Sequence, residues 1–226
     1  WLLMIDPAAA LCEFKLNPKT GDIEVSESNF PKIDEWPHKW KKKTVTWRLY
    51  SDTPDIEGRK KEEKIIKRGL LRWQLRVKNL KFRMVNSYSR RFVNKHGVHP
   101  DMVINFKSPA NDDYLSQAGK ENVLAYAYFP GQGEISGDIT FNEKYNWSAH
   151  GKNGTYNMEH VLMHEAGHGI GLRHDPHTKD SIMYPQYTGK TSLGKRDEER
   201  IQSFYGIRSG YETLVQRLKG YLSREL

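Results

Sequence analysis

The stretch His164-Glu165-Ala166-Gly167-His168-Gly169-Ile170-Gly171-Leu172-Arg173-His174 constrains this chain more than any other. Read as a helix over its first half, it puts His164 and His168 four residues apart on one face. Two neutral imidazoles so placed can grip one Zn2+ at about 2.0–2.1 Å each. Glu165 follows the first histidine, so its carboxylate projects beside the metal, where a base for a metal-bound water belongs. Gly171 lets the backbone turn sharply away from the helix, and His174 can then swing back as third ligand. Three protein ligands leave the fourth position to water, as a catalytic zinc requires. A solvated helix with incidental histidines gives no reason for the turn at Gly171 and the third histidine. His160, one turn before His164, reads as a pocket or core residue, because a fourth protein ligand would close the open position.

The 226 residues suffice for one sizeable domain with modest extensions. No apolar run approaches the roughly 20 residues of a spanning helix. Trp1 to Ile5 is apolar but is broken by Asp6-Pro7 and lacks a basic leader, so it does not read as a signal peptide. Cys12 is the single cysteine, which excludes an intramolecular disulfide and leaves stability to the core and to metals. The net charge of +8 would suit an anionic partner. Its carriers, however, among them Lys39, Lys41–Lys43 and Arg59–Lys61, flank elements that need solvated faces, and no nucleic-acid module is present by pattern.

Residues 1–38 read as an N-terminal extension, with a turn signal at Asn17-Pro18-Lys19-Thr20-Gly21. Val45, Trp47 and Leu49 alternate with polar residues as a half-buried strand. Ile66, Leu70, Trp73 and Val77 recur at helical spacing, which predicts an amphipathic helix from about Gly58 to Asn79. Further strands are expected at residues 80–84, 102–106, 124–129 and 139–141. A second helix should start at Thr155 or Asn157, either a reasonable N-cap, and end at Gly169 and Gly171. A third is expected over Lys195 to Tyr205, and a terminal amphipathic helix within 208–226. Strands interleaved with helices make the class α+β.

Beyond the zinc motif, Ser181-Ile182-Met183-Tyr184-Pro185 resembles the Met-turn of metzincins, with Met183 as the apolar floor of the site. Trp40 to Ile56, Pro100-Asp101-Met102-Val103-Ile104, Leu124 to Gly131, Gly137-Asp138 through Trp147 and Ile201 to Gly206 extend the likeness over about residues 39 to 207. In these features the chain resembles a matrixin, the matrix-metalloproteinase catalytic domain of the metzincin clan. The resemblance implies a twisted mixed five-stranded sheet, three main helices, zinc in a cleft, and a zinc-dependent endopeptidase acting on protein or peptide substrates. It also implies that an extended substrate pairs with the strand holding Leu124, Ala125 and Tyr126, and that Pro185 and Tyr187 wall the specificity pocket, facing His160 to His164.

Departures from the family bear on its other ions. Tyr126 and Thr140 stand where matrixins carry histidines of a structural zinc, and Asn111-Asp112-Asp113 replaces the loop with its remaining ligands. Neutral Tyr and Thr cannot replace imidazoles, so that zinc is expected to be absent. Asp101, Asp138, Asn142 and Glu143 lie near the family's calcium positions, but calcium wants six to eight oxygens; a calcium site and plain surface carboxylates both stand as readings. Asp175 replaces the usual serine and is placed to anchor the Met-turn. Cys12 lies upstream, where matrixin zymogens carry a zinc-blocking cysteine, yet Leu11-Cys12-Glu13-Phe14 lacks the family's switch pattern; a thiolate switch and a plain cysteine are the two readings. Two other functions compete: a non-catalytic binding module on a matrixin scaffold, and a metallohydrolase of cell-wall peptides. The resemblance favours a secreted protein, while the lack of disulfides also fits a virus-associated or intracellular one.

Overall fold

The structure is a computed structural model that describes residues 38–85, 99–118, 120, 122–152 and 154–208, together with the backbone of two strands further upstream. Those strands are β1 (Leu11–Leu16) and β2 (Ile23–Glu24). Then follow β3 (Thr44–Leu49), α1 (Arg59–Gln74), β4 (Lys81–Met84), β5 (Met102–Lys107), β6 (Val123–Tyr128) and β7 (Ile139–Asn142). The chain continues through β8 (Trp147–Ser148), β9 (Tyr156–Asn157), α2 (Met158–Gly169) and α3 (Lys195–Tyr205).

The five expected strands form one mixed sheet in the order β6-β7-β5-β3-β4. All neighbours in it are parallel except β6, which runs antiparallel to β7 with Tyr126 opposite Thr140. Two further strands, which the sequence reading leaves as extension, lengthen this sheet to seven: β1 pairs antiparallel with β6, and β2 with β1. The expected turn signal at residues 17–21 and the terminal helix fall outside the described residues.

On α1, the buried Glu62, Ile65, Ile66, Gly69, Leu70 and Trp73 follow helical spacing and form one stripe. That stripe meets α2. A Cβ on Gly69 would lie 2.9 Å from the Leu162 side chain, so glycine sets the closeness of the crossing. Trp73 Nε1 donates to the Met163 carbonyl at 2.9 Å, and Arg68 and Arg72 both donate to Glu159. The expected helix runs on to Asn79, but α1 stops at Gln74. The backbone N–H groups of Lys78 and Asn79 instead donate to the carbonyls of Gly206 and Tyr205, and Val77 bridges Ile207. Tertiary pairing has overridden a helical period in the last turn.

Every residue of α2 is buried. It is therefore a central helix, enclosed by the sheet and by α1. Of the two candidate N-caps, Asn157 is used: its side chain accepts from the His160 N–H. The helix α3 begins and ends as expected and buries Asp197, Ile201 and Tyr205 at four-residue spacing.

Candidate metal centre and cleft

The central helix delivers His164 and His168 to one side, one turn apart, with their Nε2 atoms 3.0 Å from each other. Gly171 has φ +105°, a conformation open to glycine, and a Cβ there would collide with the His38 carbonyl. The turn it makes returns the chain, and His174 Nε2 lies 3.1 Å from both other Nε2 atoms. All three histidines are buried, and they form the one group of three or more such metal-binding side chains among the described residues.

The donor chemistry fits a cation. His164 Nδ1 faces the Ile182 carbonyl at 2.7 Å, and His168 Nδ1 faces the Leu172 carbonyl at 2.7 Å. A carbonyl only accepts, so both Nδ1 atoms carry the proton and both Nε2 atoms carry lone pairs. The 3.0 Å contact between those two Nε2 atoms thus has no proton to share. Burial, with the neighbouring histidines adding to it, holds both imidazoles well below their ordinary pKa, so they stay neutral. Ligands about 2.0–2.1 Å from a tetrahedral zinc lie roughly 3.3 Å apart, within a few tenths of an ångström of the separations here. A zinc ion would be held by these three nitrogens.

Glu165 follows His164 on the same helix and is fully buried. Met183 is buried with its sulfur against Gly167, where a Cβ would come within 2.2 Å of it, which explains the glycine between His164 and His168. The Met183 carbonyl accepts from Asp175 N–H at 2.9 Å, and Asp175 pairs with Arg196. Asp175 therefore ties the flank of His174 to the Met183 turn.

Asp197 is a residue the sequence reading missed. Its carboxylate accepts from Ser181 Oγ, from Ile182 N–H at 2.8 Å and from Gly194 N–H at 2.7 Å. It fixes the loop whose Ile182 carbonyl orients His164, the kind of outer support that ligating histidines need. An acid in register with Ile201 and Tyr205 on the buried face of α3 was the available signal.

Tyr187 and Pro185, expected to wall a specificity pocket, lie near His160. Tyr187 accepts from Asn157 N–H at 2.8 Å through its hydroxyl, and its ring meets His160 edge-on at 4.7 Å, while Pro185 is half-buried beside it. His160 Nδ1 lies 2.6 Å from the Lys190 carbonyl, and burial pushes its pKa down to about 4; it is not part of the triad. Leu124, Ala125 and Tyr126 lie along β6, and Phe129, just beyond that strand, sets its ring on His168 at 5.5 Å between centroids. Cys12 belongs to β1, opposite Ala127.

Each of the four calcium candidates has its own hydrogen-bond partners. Asp101 accepts from the Thr46 N–H and hydroxyl and from Lys42. Asp138 accepts from Val103 N–H at 2.7 Å. Asn142 donates to the Val123 carbonyl, and Glu143 accepts from Thr53 Oγ1. Tyr126 Oη donates to Asp112 at 2.9 Å, and Lys107 Nζ reaches the same oxygen at 3.0 Å. Asn111 and Asp113, on either side, are exposed.

Residues 39–206 match the sequence family described as matrixin, Peptidase_M10. Matrilysin of Felis catus is 36% identical over 198 residues, which is 85% of this chain and 66% of that protein. Matrilysin of Rattus norvegicus is 32% identical over 201 residues, covering 87% of this chain and 68% of its own. The macrophage metalloelastase of Rattus norvegicus is 35% identical over 172 residues, 74% of this chain and 34% of the relative. The chain thus spans about two thirds of the matrilysins and a third of the metalloelastase. It belongs to the matrixin family of zinc metalloendopeptidases. No helix among the described residues is long and apolar enough to cross a membrane.

Proposed function

We propose that residues 39–207 hydrolyse internal peptide bonds of extended polypeptides, with His164, His168 and His174 holding one zinc and Glu165 as the proton carrier. The observation that carries the reading is the meeting of three buried Nε2 atoms at 3.0–3.1 Å beside a buried glutamate on the same helix. A zinc ion bound there supplies Lewis acidity, which acidifies water and polarises a carbonyl. Glu165 takes a proton from the attacking water as its oxygen bonds to the scissile carbonyl carbon. The same carboxyl then delivers that proton to the departing amine nitrogen, so the carbon–nitrogen bond breaks with charge balanced. The Ile182 and Leu172 carbonyls keep His164 and His168 in the tautomer that ligates. Main-chain groups of β6, from Leu124 to Tyr126, align the substrate as an added strand, and Pro185 and Tyr187, with His160, receive a side chain next to the cut bond.

One zinc per chain is the proposed content. The self-contained hydrogen bonding of Tyr126, Lys107 and Asp112 supports it. Calcium is not part of the proposal, because Asp101, Asp138, Asn142 and Glu143 are each committed to separate partners.

Metal analysis and quenched-peptide cleavage on one preparation test the reading. Glu165→Gln should keep its zinc and lose roughly 10^2–10^4 in turnover. Undiminished cleavage by that variant, or cleavage that survives a chelator, defeats the proposal.

A further inference from the structure

Two of the three histidines arrive on α2, where the helix itself fixes their direction. His174 does not. It lies past the turn at Gly171, on a stretch that is neither helix nor strand. A ligand on such a stretch needs its backbone held from outside, because ordering a loose chain costs conformational entropy at the expense of metal binding.

The outside support is α3, and the stretch is laid along it in reverse order. Tyr205 Oη donates to the Ile170 carbonyl at 2.8 Å. A Cβ on Gly171 would lie 3.3 Å from the Phe204 ring. Arg200 Nη2 donates to the Arg173 carbonyl at 2.8 Å. Arg196 Nε lies 2.6 Å from Asp175 Oδ2. As the stretch ascends from residue 170 to 175, its partners on the helix descend from 205 to 196. Arg196 and Arg200 are one turn apart on one face of α3. Their two contacts fall on the residues immediately before and after His174.

The contacts differ in kind. The Asp175 side chain is only 2% exposed, and a carboxylate so placed needs a cation, which Arg196 brings from a side chain that is 54% exposed. Arg200 instead holds a neutral carbonyl, the sort of acceptor that an irregular stretch leaves over.

We infer that Arg196 and Arg200 are positioning residues for the metal: they grip the chain on both sides of His174 and keep its Nε2 at 3.1 Å from the other two. The inference rests on the zinc-holding part of the proposal above and not on cleavage. An ordinary ion pair near the surface would be indifferent to His174. A grip that works through His174 has nothing left to position once that imidazole is gone.

Zinc affinity of the full chain, read by competition with a chromogenic chelator, tests the inference. Arg196→Met with Arg200→Met keeps much of both stems and removes both guanidinium groups. The pair should weaken zinc by about tenfold or more, as loss of support around a ligand does. Arg196→Lys with Arg200→Lys keeps a charge and a donor at both places, and should stay within about threefold of the parent. Added to His174→Ala, the methionine pair should cost less than about threefold more, since coupled residues do not add. Each single methionine change should show part of the loss, and carries the test if the pair does not fold. Parent-like affinity in the methionine variants overturns the inference. So does an equal loss with and without His174, because the arginines would then act through the fold at large. A loss in the lysine pair as great as in the methionine pair overturns it as well. A parent chain that takes up no zinc defeats the metal reading itself, and the grip falls with it.

Discussion

At the histidine triad, two Nε2 lone pairs face each other at 3.0 Å, their protons spent on backbone carbonyls. Around Asp112 the chemistry is the reverse. One carboxylate oxygen accepts from Tyr114 and Leu115 N–H, and the other from Lys107 Nζ and Tyr126 Oη. Both clusters are buried and polar, and the resemblance to matrixins led to an expectation about zinc at each. The first offers facing lone pairs that suit an ion. The second closes on itself with donors from its own loop and strands. The number of acidic or aromatic groups does not separate them; what does is whether the lone pairs already have protons pointed at them.

Removing the metal should have the largest effect. A chelator should abolish cleavage and lower the thermal midpoint by about 10 °C, since binding to the native state alone stabilises it. His174→Ala should weaken zinc binding by more than about 100-fold, beyond what loss of a supporting hydrogen bond does; near-normal affinity in a metal titration would mean the triad does not act as one site. Next is Asp197→Ala. It strands the Ser181 hydroxyl and two N–H groups in the interior and should cost about 3 kcal/mol in denaturant unfolding. It should also loosen zinc by about 10- to 100-fold through His164's carbonyl partner, and a stability loss with unchanged zinc affinity would separate the two roles.

Smaller effects test the other cluster. Tyr126→Phe removes one hydroxyl from Asp112 and should cost about 1 kcal/mol, with the zinc content of the purified chain unchanged; a change in metal content would make the cluster an ion site after all. The smallest effect concerns pH. Burial raises the Asp138 carboxyl from 3.8 to about 6, with the Val103 N–H pulling it back. Its contribution is therefore full below pH 3.8 and is lost as pH rises toward 6. In calcium-free buffer, Asp138→Asn should stabilise the chain by about 1 kcal/mol above that window and not below it. Destabilisation by the same change only when calcium is added would instead reveal an ion at Asp138.

Much of this was legible where a local pattern and its tertiary use agree. The ligand helix, its end at Gly169 and the helix from Lys195 to Tyr205 all appear as expected. The triad was legible because spacing on a helix fixes direction, and Gly171 announces the turn that recruits His174. Failures came where a partner distant in sequence decides. The last turn of the expected first helix gives way to pairing with residues 205–207. Asp197 sits among other charged residues of its helix in the sequence, and only the loop it receives shows why it is inside. Cys12, Phe14 and Leu16 alternate with Glu13 and Lys15, a strand signal present in the sequence, but the polar residues after it masked it. The calcium candidates were grouped by resemblance, and their individual hydrogen-bond partners come from tertiary contacts that the sequence does not give.

The pairing of β1 with β6 also has a consequence in time. A chain grows from its N-terminus at about 5–20 residues per second. Leu11 to Leu16 are therefore made roughly ten seconds before Tyr128, their partner strand's last residue, and the third histidine comes later still. The moment β6 leaves the ribosome, the strand that pairs with its edge has already been made.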